Sequence, residues 1–419
     1  MKRRLLLAAA ALAAFAAPAQ AADCAYAVGV VLELTGPAGE YGQAGAKSIE
    51  MAFRDLNDAG GPHGCKLVAD VRDSQSAGAL AVDAANQLVQ LKKTPVIIGG
   101  IISSVSIPIL TAVTGPDKIV QISPASSSPT LTTLGREGKT DGMFFRTITS
   151  DALQGTAAAK YALDQGFKRI AVIHVNNDFG VNMFAEFAKA FKALGGEIVS
   201  VTPYNEKQSS YDAEVDKGVA SKPDGLYLIA TPVDGATVAR AWISQGGPAK
   251  FLLNDGMNSS DFISSVGAKY LNQAYGTSSG TSPTASTKYF NDNYKAFSGG
   301  IDPGNPAADR SYDAGAIAGL AFAAAPDATP EAIREAIYKV TAKDGEPIHA
   351  GKAEFAKALD LLKAGKPIRY EGVIGPISFD KYGDITGPFR LWKISDGKVT
   401  TVGEMSTDEV NAIKAKIGK

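Results

Sequence analysis

Two successive trains of alternating strand-like and helix-like segments leave this chain few ways to fold. In the first, short apolar runs over Ala25 to Leu32, Lys66 to Val71, Val96 to Ile98 and Ile119 to Ile122 read as strands, and Phe144 to Thr147 closes the unit. Helices fall between them: one from about Ala44, with Ile49, Ala52, Phe53 and Leu56 on one face and Gly60-Gly61 ending it, one over Ala77 to Lys92, one over Ser106 to Val113. Asp151 then caps a helix to Gln165, and the rhythm restarts. Strands Arg169 to Val175, Glu197 to Val201, Gly225 to Ala230 and Phe251 to Leu253 alternate with helices Phe179 to Leu194 and Pro232 to Gln245. Such alternation is the mark of a parallel sheet with helices on both faces. The expected fold class is α/β: two similar doubly wound parallel-sheet lobes with a ligand cleft between them, joined by several crossings. At 419 residues the chain also exceeds what one hydrophobic core serves.

From about Ser278 the pattern turns helical, over Lys288 to Phe297, Ala307 to Ala324, Pro330 to Thr341 and Lys352 to Lys363. It ends with a strand, Phe389 to Ile394, turned by Ser395-Asp396-Gly397, and an amphipathic helix, Asp408 to Ile417. The expected division is a leader over 1–21, a first lobe of 22–147 and 278–372, and a second lobe of 148–277 and 373–419.

Lys2-Arg3-Arg4, the apolar run Leu5 to Ala17 and Ala19-Gln20-Ala21 are the three parts of a secretory signal peptide, with cleavage expected after Ala21. The run is shorter than the ~20 apolar residues that spanning needs. Asp23 stands where a lipobox before Cys24 needs a small neutral residue, so a lipid anchor is excluded. Loss of the leader's three cations moves the formal net charge from −1 to about −4, which disfavours nucleic acid as a partner. The expected setting is periplasmic. In that oxidising compartment Cys24 and Cys65, each just before a strand, meet at one sheet end if those strands are parallel neighbours, and form a structural disulfide. The alternative is two free thiols.

Ligands of open α/β sheets bind beyond the carboxyl ends of the strands. Two hydroxyl-rich loops lie there, Ile102-Ser103-Ser104 and Ser123-Pro124-Ala125-Ser126-Ser127-Ser128, and with helix N-terminal amides they suit a small anion. Loops favour serine in any case. On the second lobe Thr231 precedes Pro232 as an N-cap, which alone accounts for it, and Asp255 follows the strand Phe251 to Leu253. Asp255 is either a turn residue or a cleft carboxylate facing the hydroxyls. Anion-binding hydroxyls opposite a carboxylate would make a zwitterion site, and an α-amino acid fits one. Catalysis has no support: His63, His174 and His349 lie in separate segments without metal spacing, and no nucleophile elbow or phosphate loop is present. His174 ends a strand and is either a polar strand-end residue or a ligand contact.

Read together, Val30-Val31-Leu32-Glu33-Leu34-Thr35-Gly36 with Tyr41-Gly42, Ile98-Gly99 with Ser103-Ser104, Ser123-Pro124-Ala125, Phe145-Arg146-Thr147 with Asp151 and Gln154-Gly155, Asn177-Asp178-Phe179-Gly180, and Phe379-Asp380 with Gly383-Asp384 carry a resemblance in their order and spacing. Over its whole mature length the chain resembles the periplasmic solute-binding proteins of branched-chain amino acid (Leu/Ile/Val-type) ABC transporters, of the type I periplasmic binding fold. The resemblance implies that Ser103 and Ser127 hold a ligand carboxylate, that the Ala125 carbonyl and Asp255 take its ammonium, and that Tyr41 and Phe179 flank its side chain. Asp255 stands where leucine-binding members carry Glu, a shorter reach, and Thr231 where they carry Tyr, less aromatic bulk. Lys352 to Gly372, ending Tyr370-Glu371-Gly372, resembles a variant of the family whose members take diverse ligands. Implied are amino-acid binding without turnover, closure of the lobes over the ligand, no cofactor, a monomer, and an inner-membrane ABC permease as partner. The alternatives are a periplasmic sensor for a membrane regulator, a receptor for a non-amino-acid carboxylate, and a secreted hydrolase.

Overall fold

The computed structural model describes residues 24–417, so the expected leader over 1–21 lies outside the described residues. The first sheet holds β1 (Ala25–Leu32), β2 (Lys66–Asp73), β3 (Val96–Gly99), β4 (Val120–Ser123) and β5 (Phe144–Arg146), all parallel, in the order β2-β1-β3-β4-β5. β1 and β3 read as apolar runs because both faces are covered, whereas the edge strand β2 carries charged, half-exposed residues. Val30, Leu32 and Ile98 pack into one core, whereas Val31 and Ile97, pointing the other way, pack into a second.

The second lobe repeats this plan. β6 (Arg169–Val175), β7 (Glu197–Tyr204), β8 (Gly225–Ile229), β9 (Phe251–Leu253) and β10 (Ala274–Ser279) are parallel in the order β7-β6-β8-β9-β10. Alternate residues of β6 again divide between two cores, Ala171 and Ile173 on one side, Ile170 and Val172 on the other. After a small pair in the first lobe, β11 (Glu346–Ile348) and β12 (Ile368–Tyr370), the chain returns as an antiparallel hairpin. β13 (Phe389–Ser395) pairs with β10, and β14 (Lys398–Met405) forms the edge.

Cys24 and Cys65 form a disulfide at the head of the parallel pair β1 and β2, whose register sets Ala25 opposite Lys66. The helix Ala308–Ala324, one of the late helical segments, packs on Gly39–Asp58 in the first lobe. Gly319 permits the approach, since a Cβ there would lie 2.4 Å from Leu56 Cδ1.

The expected lobe boundary needs correction near the end of the chain. Val373, Ile374, Ile377 and Ile385, assigned above to the second lobe, belong to the first lobe's core. The first two are held there by Asp313, which accepts from the amides of Val373 and Ile374. β10 in turn stays in the second sheet through Ser279. The crossings at 147–150, 280–284 and 386–388 run side by side: Thr149 Oγ1 donates to Ser279 Oγ at 2.7 Å, and the Gly280 amide to the Pro388 carbonyl at 2.7 Å. Among the described residues no helix is long and apolar enough to cross a membrane.

Candidate functional site

The carboxyl ends of both sheets face one another across a cavity of about 200 Å³. For scale, an apolar cavity of ~150 Å³ is enough to take up benzene. Each wall is set by the loops leaving adjacent parallel strands. On the first lobe Ser103 follows β3, and Ala125 and Ser127 follow β4. On the second Phe179 follows β6, Thr231 follows β8, and Asp255 follows β9. Together with Tyr41, these residues line the cavity.

The serine loops are held from behind. Arg146, fully buried, donates through Nη1 to the carbonyls of Ser126 and Ser128 and pairs through Nε with Asp384 at 2.6 Å. Glu33, also fully buried, accepts from the amides of Ile101 and Ile102 just ahead of Ser103. Burial pushes its carboxyl up to about 7. Two of the residues quoted above for a family likeness, Arg146 and Asp384, therefore act on the loop's shape rather than in the cavity.

Ser103 Oγ accepts from the Ser128 amide at 3.1 Å, which leaves its O–H free to donate into the cavity. Ser127 Oγ shares a 2.9 Å hydrogen bond with Asp151 Oδ2. Asp151 is not the helix cap expected of it; Ser150 takes that position and accepts from the Ala152 amide. Burial, with the Asp255 charge nearby, pushes the Asp151 carboxyl well above its ordinary range, against which the hydrogen bond donated by Ser127 acts. The Ala125 carbonyl accepts no hydrogen bond among the described residues.

On the facing wall Asp255 Oδ1 accepts from the Gly256 amide at 2.9 Å, while Oδ2 has no partner among the described residues. Asn254 fixes the place of this loop by accepting from the Ala230 amide at 2.9 Å. Burial raises the Asp255 carboxyl above the usual carboxylate range. Thr231 occupies the N-cap position, but its side chain makes no cap hydrogen bond; Oγ1 is buried, lines the cavity and has no partner. Capping therefore does not account for it.

The structure separates two serines from this group. Ser126 is turned inward and is spent on the carbonyls of Gly100 and Ile101 and on Ser106. Ser104, one position into its helix, lies off the cavity wall. His174 also lies off it, stacked on Phe184 and bonded to the Val175 carbonyl, as a strand-end residue. Residues that the sequence reading did not single out line the far end, beside the crossings: Ser278, Ser279, Asp309, Arg310 and Arg390. Among the described residues no cluster of His, Cys, Asp and Glu could hold a metal ion.

The lobes are closed on one another. Tyr41 donates to the Gly256 carbonyl at 2.7 Å, Ser259 to Glu40 at 2.5 Å, and Asn182 to Ser128 and Thr130 at 3.3 Å. A Cβ at Gly256 would lie 2.4 Å from the Tyr41 oxygen, so glycine permits this contact.

Residues 25–398 match the family model described as periplasmic binding protein. The Leu/Ile/Val-binding protein homolog 3 of Brucella melitensis is 28% identical, covering 92% of this chain and 96% of its own. A chemotactic signal transduction system substrate-binding protein, BasB, of Halobacterium salinarum is 26% identical over 89% of this chain and 88% of its own. Among solved structures, the leucine binding protein LivK of Thermotoga maritima superposes with a TM-score of 0.77 at 21% identity, covering 92% of this chain and 99% of that one.

Proposed function

The chain belongs to the periplasmic binding protein family, as a type I member of its branched-chain amino acid branch, and on that premise we propose that it captures an amino acid between its lobes for an inner-membrane ABC permease. It is a solute-binding protein rather than an enzyme. One observation carries the amino-acid reading: a carboxylate with a free oxygen, Asp255, and a hydroxyl with a proton to give, Ser103, line opposite walls of one cavity, with Ser127 beside Ser103. A zwitterion placed between them satisfies both.

In this reading Ser103 donates to the ligand carboxylate. Ser127 lies beside Ser103, its own O–H given to Asp151. The unpaired Ala125 carbonyl and Asp255 Oδ2 receive the ammonium. Tyr41 and Phe179 close over the side chain, and Thr231 Oγ1 gains a partner in any ligand with a polar group on that side.

Closure is stabilised by ligand only so far as the ligand prefers the closed form. Here the closed form alone joins Asp255 to the serine wall, so a bridging zwitterion has that preference. We place the protein in the periplasm, exported by its leader and acting as a monomer, where the closed form is what a permease engages. The name of the Brucella relative makes leucine, isoleucine and valine the reference ligands for comparison. The similarity to BasB favours one second reading, presentation of the same closed form to a chemotaxis partner.

The test is a thermal-shift screen of ligand-free protein against amino acids, and against carboxylates and amines that lack one half of the zwitterion. A ligand that binds only the native state raises apparent stability by mass action. Stabilisation by at least one α-amino acid and by neither half alone is expected. Stabilisation by simple carboxylates as strong as by any amino acid would sink the zwitterion reading.

A further inference from the structure

The end of the cavity beside the crossings sets two guanidiniums, Arg310 and Arg390, against one carboxylate, Asp309. Arg310, only 8% exposed, gives Nη1 to both oxygens of Asp309 at 2.9 and 2.8 Å and Nη2 to the Ser279 carbonyl at 2.7 Å. Asp309 is therefore committed, and Arg310 Nε remains buried without an acceptor. Arg390 lines the same wall, has no hydrogen bond or ion pair to any described residue, and its Nε too is buried without an acceptor.

Its position follows from the fold. On β13, Arg390 shares a strand face with Trp392 and Ile394, both fully buried, so a charge has been placed on a core-facing row. The register sets it opposite Ser278 of β10. Ser278 Oγ accepts from the Trp392 indole at 2.8 Å, which leaves the Ser278 O–H free, and Ser278 also lines the cavity. Desolvation acts against the Arg390 charge; the Asp309 carboxylate nearby favours it without bonding to it, and Arg310 repels it.

We propose that Arg390, with Ser278 and the free Nε of Arg310, forms a second anion subsite, and that the physiological ligand carries a further acidic group at its other end. A planar guanidinium presents paired N–H donors that match a carboxylate or phosphate, and a buried unpaired cation is costly until such an anion arrives. The simplest ligand with both halves is an α-amino acid whose side chain ends in a carboxylate. This choice of ligand rests on the zwitterion reading of the Ser103, Ser127 and Asp255 end; the subsite itself does not.

Calorimetric titration of the ligand-free mature protein with glutamate, 2-aminoadipate, glutamine and glutarate tests it. At least tenfold tighter binding of glutamate or 2-aminoadipate than of the near-isosteric amide glutamine is expected, and Arg390→Gln should bring that ratio toward one. The ratio in the unaltered protein needs no variant, so a misfolded Arg390→Gln does not spoil the test. If acid and amide bind equally, the subsite is overturned while the amino-acid reading stands. If glutarate binds as tightly as the amino diacids, Asp255→Asn has no effect and Arg390→Gln abolishes binding, the subsite stands and the zwitterion reading fails. If no member of the panel binds, the proposal is overturned.

Discussion

Replacing Asp255 by Asn separates the two jobs this carboxylate holds. Oδ1 accepts from the Gly256 amide, and an amide oxygen in the same place keeps that bond, so the loop after β9 should hold its shape. What disappears is the charge at Oδ2. In the ligand-free protein that charge is disfavoured by burial, which raises the carboxyl's pKa. The variant should therefore unfold no earlier than the original at neutral pH.

With ligand bound the balance reverses, because an ammonium enclosed in the cleft would lose its counter-charge. Removing one partner of a buried pair costs about 3–5 kcal/mol. At about 1.4 kcal/mol per tenfold, affinity for the best amino acid should fall between roughly a hundredfold and a few thousandfold. The pH dependence has a defined sign. Ligand ammonium binds ionised Asp255, so affinity of the original protein weakens as pH falls through the raised pKa, and the Asn variant lacks this slope. Calorimetric titration at several pH values, with thermal melts of the ligand-free forms, reads all of these effects. Unchanged affinity in Asp255→Asn would refute the ammonium role. A large loss of ligand-free stability would show that the carboxylate serves the fold.

Three further perturbations report on parts of the same machinery. Ser127→Ala removes a cavity hydroxyl and strands Asp151 Oδ2, so both affinity and stability should drop by about 1–3 kcal/mol; a melt and a titration that both match the original would return Ser127 to an ordinary loop serine. Tyr41→Phe deletes the 2.7 Å bond to the Gly256 carbonyl that joins the closed lobes. At about 1 kcal/mol for such a bond, affinity should weaken roughly fivefold, with small-angle scattering of the liganded protein shifted toward an open form; no change in either measurement argues against a latch. Glu33→Gln tests linkage. With Glu33 pushed from 4.5 up to about 7, its contribution to stability is fully present below pH 4.5 and is lost as pH rises through about 7, a difference of about 3 kcal/mol. The Gln variant should lack that part of the slope in denaturant titrations across this window and keep the part owed to Asp313, which is likewise pushed up to about 7.

The sequence by itself determined the layered architecture, since the central strands are short, locally apolar runs. Val30, Val31 and Leu32 have no polar alternation, and that pattern already requires helices on both faces of a parallel sheet. Once the sheets are parallel, all the βα loops must gather at the carboxyl ends, so the loops of Ser103, Ala125, Ser127, Thr231 and Asp255 could be placed near a cleft from order alone, whereas Tyr41 and Phe179 came only from the family resemblance. The disulfide followed similarly, because neighbouring parallel strands bring the residues before them together.

Tertiary structure alone decided the direction of each side chain in loops that have no period. Ser126 and Ser127 are adjacent, yet one is spent on the carbonyls of Gly100 and Ile101 and the other reaches the cavity. Neither residue type nor spacing distinguishes them; the pull of Arg146 on the neighbouring carbonyls does. Thr231 is the opposite case: its local pattern fits a cap, yet its hydroxyl faces the cleft without a partner. For Arg390 the strand parity with Trp392 and Ile394 was legible. Its meaning was not, because that depends on β10 lying beside β13 and on Asp309 being already committed to Arg310. The strand pairing joins segments far apart in the chain, and the Asp309–Arg310 pair, though made by neighbours, depends on where their side chains turn in the packed structure.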